Sequence, residues 1–120
     1  MSKYIRCTNR EARRHVQNRR EFRGNNLFAG WLEPTYAEDS NERMYVVYSY
    51  GEHWPLFIYH EPTDTWFENL ERHSVTTSKH RSQAHPHLDT KQVTKGFLLD
   101  LTLLGLTQTV ASHAGVKVAA

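Results

Sequence analysis

Histidine is crowded into one stretch of the chain, where His73, His80, His85 and His87 are followed closely by Asp89. His85-Pro86-His87 sets two imidazoles two residues apart. An extended segment with that spacing presents both rings to one metal ion, and His80 or Asp89 would complete three ligands with one position open. The chemistry would be that of a small zinc-dependent hydrolase or nuclease. No His-Glu-x-x-His helix or other metalloenzyme pattern accompanies these residues, and a polar, histidine-rich segment contains such pairs by chance. The expectation is therefore that the chain holds no cofactor, with zinc on His80, His85, His87 and Asp89 as the alternative.

The same stretch carries Thr76-Thr77-Ser78-Lys79-His80-Arg81-Ser82-Gln83. Hydroxyls and amides position an anion while lysine and arginine supply charge, so Ser78, Lys79, His80, Arg81 and Gln83 are candidate anion-binding residues. The segment has no glycine and is not a Walker loop. A hydrated loop whose hydroxyls satisfy their own backbone is the plainer reading. Ser78 with His80 lacks the nucleophile elbow and orienting acid of a hydrolase. Cys7 is a lone thiol with no cysteine partner.

A third set is basic. Residues 1–24 carry net charge +6, residues 33–71 carry −8 and residues 72–96 carry +4. Thr8-Asn9-Arg10-Glu11 fits a capping box, which predicts a helix from about Asn9 to Phe22 that ends at the breaker cluster Gly24-Asn25-Asn26. Its apolar face is thin, and Arg10, Arg13 and Arg20 lie on a neighbouring stripe. They would suit a nucleic acid or another polyanion, or would pair internally with the acidic segment.

These groups must be positioned by a small core. The densest β-branched and aromatic run is Met44 to Tyr50, continuing after Gly51 through Leu56 to His60. It predicts a central hairpin, with Met44, Val46 and Tyr48 on one face and Tyr45, Val47 and Ser49 on the other, and with Gly51 supplying the positive φ of the reversal. Leu27 to Glu33 and Thr65 to Glu68 add two strands, and Glu61-Pro62-Thr63-Asp64 is a turn. Residues 72–90 read as a long polar loop. Asp89 or Thr90 would then cap a leucine-rich helical region; for residues 97–104 a strand is the rival reading, since both periods fit.

The chain has 120 residues, one cysteine and net charge +2. The fold expected is a single α+β domain over 1–120. It has a basic helical arm at 1–24, an antiparallel sheet of about four strands at 27–71, the polar loop at 72–90 and a C-terminal helical region at 91–120. The single cysteine, the absence of an apolar leader and the short apolar run from Phe97 to Leu106, interrupted by Asp100, point to a cytoplasmic protein without membrane contact.

Four segments together resemble a small uncharacterised family found in phages and other mobile elements: Tyr45-Val46-Val47-Tyr48-Ser49-Tyr50-Gly51 with His53-Trp54-Pro55, Trp66-Phe67-Glu68-Asn69, and Ser74 through Gln83. The resemblance covers roughly residues 27–87. It implies an accessory protein and carries no residue-level activity. The expected function is therefore non-enzymatic binding in the host cell, to a host protein or nucleic acid, with inhibition of a defence nuclease (an anti-CRISPR role) as one form. The small metal-dependent hydrolase is the alternative.

Overall fold

The run at 44–60 forms two strands, β4 (Met44–Ser49) and β5 (Pro55–His60), and every residue of both is buried. The computed structural model of the chain describes residues 4–36, 41–72 and 74–114. Alternation places Tyr45 and Val47 in one apolar cluster and Met44, Val46 and Tyr48 in another, so each face of β4 has its own core. The register shifts between Val47 and Tyr48, which pair with Phe57 and Pro55. Leu56 is thus the extra residue of a bulge and joins Phe57 in the first cluster.

On one side β3 (Leu27–Leu32) pairs antiparallel with β4. On the other β6 (Thr65–Asn69) pairs antiparallel with β5, after a 3-10 turn at Glu61–Thr63 in which Asp64 takes φ 50°. The sheet does not stop there. β1 (Ile5–Arg6) lies parallel to β2 (Phe22–Arg23), which pairs antiparallel with β3, and β7 (Lys91–Val93) lies parallel to β6. Among the described residues the sheet has seven strands in chain order, mixed in direction, where about four antiparallel strands were expected. The α+β class stands. Each edge strand has only two or three residues, too few to show alternation, and each is set in place by a crossover through a helix.

The first crossover helix is shorter than its periodicity predicts. Glu11 accepts the Thr8 backbone N–H at 2.9 Å and the Thr8 hydroxyl at 3.0 Å, opening a 3-10 turn at Asn9–Glu11 and then α1 (Ala12–Gln17). The helix ends at Gln17 and is closed by Arg19, well before Gly24. Arg19 takes φ 52°, its N–H bonds the Val16 carbonyl, and the Arg20 N–H bonds the His15 carbonyl, a Schellman closure without glycine. Tertiary contacts hold that conformation: the Arg19 guanidinium stands 4.6 Å from the Tyr59 ring centre, Trp31 Nε1–H donates to the Arg19 carbonyl, and the Tyr45 hydroxyl donates to the Arg20 carbonyl.

The second crossover replaces the expected polar loop. Residues 75–84 are helix α2 (Val75–Ala84), capped by Ser74, whose Oγ accepts the Thr77 N–H at 3.0 Å. Its buried residues are Thr77, His80 and Ala84, so the buried stripe is almost wholly polar and no hydrophobic period announces it. The last helices are α3 (Lys95–Leu104) and α4 (Leu106–Ser112), which settles residues 97–104 as helix. Thr94 is the cap, accepting the Phe97 N–H at 3.1 Å, whereas Thr90 and Asp89 precede β7. Phe97, Leu98 and Leu101 cover the Met44, Val46 and Ile58 face, while α1 and α2 cover the other through Ala12, Val16 and Ala84. The sheet lies between two helical layers. Among the described residues no helix is long and apolar enough to cross a membrane.

Candidate functional site

The turn from β4 to β5 stands over the N-terminal half of α2, and the way it is built makes a cleft. Ser49 ends β4 fully buried, with its Oγ 2.8 Å from His80 Nδ1. Tyr50 follows with φ 68°, its N–H donating to the Asn26 carbonyl at 2.8 Å. The expected division of labour is therefore reversed: Tyr50 takes the left-handed conformation, and Gly51 does not. Glycine at 51 serves close approach instead, since a Cβ there would lie 2.9 Å from the His53 imidazole. The Tyr50 ring is half exposed and tilts against the His80 ring at 5.5 Å.

Below this turn is a cleft of about 540 Å³ lined by Ser49, Tyr50, His53 and Trp54 on one side, Ser74, Thr76 and Thr77 on another, and Lys95 from α3. Lys95 Nζ lies 4.7 Å from the Trp54 ring centre. Asn69 donates to the Pro55 carbonyl at 2.9 Å and so fixes the start of β5 beside the cleft. Burial, with the Lys79 charge adding to it, holds the His80 pKa below its ordinary 6.5, so His80 is a neutral partner for Ser49 at pH 7. The chain matches no protein-family model, no curated protein and no solved structure. Function has therefore to be read from the site itself.

A second polar cluster fixes α2 from behind. Glu68 is 3% exposed, and its carboxylate accepts Arg81 Nε–H at 2.6 Å and the Thr90 hydroxyl at 2.6 Å, with His85 Nε2 at 3.2 Å. Burial pushes this carboxyl up, but the Thr90 and Arg81 hydrogen bonds and the charges of Arg81 and His85 pull harder, leaving it below the ordinary 4.5. From the other side Arg13 donates to the Ser82 carbonyl at 2.5 Å and the His85 carbonyl at 2.8 Å, and Gln17 donates to the Pro86 carbonyl. Charged donors there satisfy carbonyls that the end of α2 leaves open. The helix is tied to the sheet on one side and to α1 on the other.

The residues singled out from the sequence are thus dispersed. Arg81 and Arg13 are structural ties, His80 is buried against Ser49, and Gln83 Oε1 is buried with no hydrogen-bond partner among the described residues. Arg10, Arg20 and Lys79 are exposed, and Ser78 is half buried. The metal candidates do not converge: His80 faces Ser49, while His85 is held between Glu68 and the His87 backbone N–H. His87 and Asp89 are exposed, and His73 lies outside the described residues. Among the described residues no three His, Cys, Asp or Glu side chains lie together as a metal site. Tyr50, His53, Thr76 and Lys95 were not identifiable as one site, because a strand end, a turn, a helix start and a distant second helix supply them.

Proposed function

We propose that the protein is a non-enzymatic accessory binding protein of a phage or mobile element, and that it grips a host protein at the cleft under Tyr50. The observation that supports this is Tyr50 itself. An aromatic residue in the left-handed region costs about 1–2 kcal/mol, and such strain collects at ligand clamps. Here it turns a large ring outward, 52% exposed, at the rim of a preformed cleft. Tyrosine is among the residues that dominate protein interfaces, offering much contact area for little lost freedom. Val75, in sequence between the lining residues Ser74 and Thr76, is 89% exposed at the start of α2. A host defence nuclease is the partner class to examine first.

The test is photocrosslinking from position 50 in host cells, with an equivalent probe at Tyr36, which is 71% exposed and away from the cleft, as control. One dominant adduct from position 50 and none from position 36 is expected. Equal, diffuse labelling from both positions removes the reading.

A further inference from the structure

One wall of the cleft is a lysine ammonium. Lys95 opens α3 and is held there by its backbone N–H, which donates to Glu71 Oε2 at 2.7 Å. The residue is half-buried, its ammonium lies over the Trp54 ring, and it lines the cleft. Among the described residues no carboxylate lies within ion-pair distance of it, whereas Arg14, Arg43 and Arg81 are each met by a glutamate. An ammonium held over an aromatic ring at the wall of a cleft, with no carboxylate in ion-pair reach among the described residues, is placed to receive one from a ligand.

We propose that the cleft takes the carboxylate of an acidic residue from the partner protein, with Lys95 receiving the charge and the Tyr50 ring receiving the apolar residue beside it. This rests on the reading of the cleft as a protein-binding site and specifies its chemistry. The exposed hydroxyl of Thr76 is at hand to complete the hydrogen bonding of the second carboxylate oxygen. The surroundings favour a single acidic side chain over a phosphate chain. Lys95 is the one lysine or arginine that lines the cleft among the described residues, so successive phosphates would find a single cation there. About 540 Å³ accommodates one or two side chains.

The experiment titrates the isotope-labelled full chain with three probes and follows the Trp54 indole N–H and the amides of Tyr50 and Thr76 by NMR. The probes are acetyl-Gly-Asp-Phe-Gly-amide, its Asn counterpart, and decathymidylate. Saturable shifts confined to the cleft are expected with the Asp peptide, weakened about tenfold with Asn. Lys95→Met should abolish them, and Lys95→Arg should retain them. Equal binding of the Asp and Asn peptides, unchanged binding by Lys95→Met, or no shift with any probe overturns the proposal. Tighter binding of decathymidylate with a steep salt dependence overturns it in favour of nucleic acid. Repeating the position-50 crosslinking with Lys95→Met separates the two readings: an adduct that persists leaves the cleft as a binding site and removes only the carboxylate.

Discussion

Ser49 Oγ and His80 Nδ1 meet at 2.8 Å where the last residue of β4 touches the buried stripe of α2. Ser49 is 0% exposed and His80 4%, so this bond joins the sheet to the helix without water. Removing one partner leaves the other buried and unsatisfied. His80→Ala is expected to cost about 1–3 kcal/mol in urea denaturation at pH 7.5. A loss under about 0.5 kcal/mol would mean that the helix docks without it.

The same histidine sets a pH dependence. Its folded pKa lies below the ordinary 6.5, through burial first and Lys79 second. The unfolded chain therefore binds the extra proton first as pH falls. The stabilisation is complete above pH 6.5 and declines as pH drops toward the lower folded value. His15, lowered by burial and then by Arg20 and Arg14, acts in the same direction. Unfolding free energy should be larger at pH 7.5 than at pH 5.5, and His80→Gln should flatten that difference. An unchanged slope in the variant would exclude His80 as its source.

Glu68 is the acidic counterpart, a carboxylate buried under Arg81, His85 and Thr90. Glu68→Ala leaves the Arg81 charge and the Thr90 hydroxyl without their acceptor and should cost about 3–5 kcal/mol. Because its folded pKa is below 4.5, its stabilisation is complete above that value and disappears as pH falls further. Acid titration of the wild type and Glu68→Gln by circular dichroism checks this: the wild-type curve should lose its steep component in the variant.

The arginines of the first arm should divide sharply. Arg13 carries two hydrogen bonds to the end of α2, whereas Arg10 is exposed in the 3-10 turn. Arg13→Gln is expected to cost about 1.5–3 kcal/mol as a charged donor is lost, and Arg10→Gln less than about 0.5 kcal/mol. Equal, small effects in denaturant titration would show that Arg13 does not anchor the helix.

Tyr50 should trade little stability for binding. Tyr50→Gly relieves the left-handed conformation but adds unfolded-state freedom, so stability should stay within about 1 kcal/mol while the crosslinked partner is lost from pull-down. Tyr50→Val puts a β-branched residue at φ 68° and should cost about 1–3 kcal/mol. If valine is tolerated as well as glycine in thermal melts, the turn is not strained.

The central hairpin could be read from the chain because the twelve strand positions of Met44–Ser49 and Pro55–His60 are apolar or aromatic almost throughout, and period-two alternation assigns the faces of Met44 to Tyr48. The turn at Pro62 was legible for similarly local reasons, whereas both periods fitted residues 97–104 and only the structure decided for helix. Tertiary structure decided the rest. The short strands Ile5–Arg6, Phe22–Arg23 and Lys91–Val93 carry too few residues for a pattern, and their pairing depends on a neighbouring backbone. Helix α2 buries threonine and histidine, which look like loop residues until Ser49 meets His80 and Glu68 ties down the neighbouring Arg81. Arg19 and Tyr50 take left-handed conformations that local preference would give to glycine, and packing on Tyr59, Trp31 and His80 holds them there. Lys95 becomes a candidate binding residue only because the turn before β5 brings Trp54 beneath it, a relation between residues forty-one positions apart that no local period encodes.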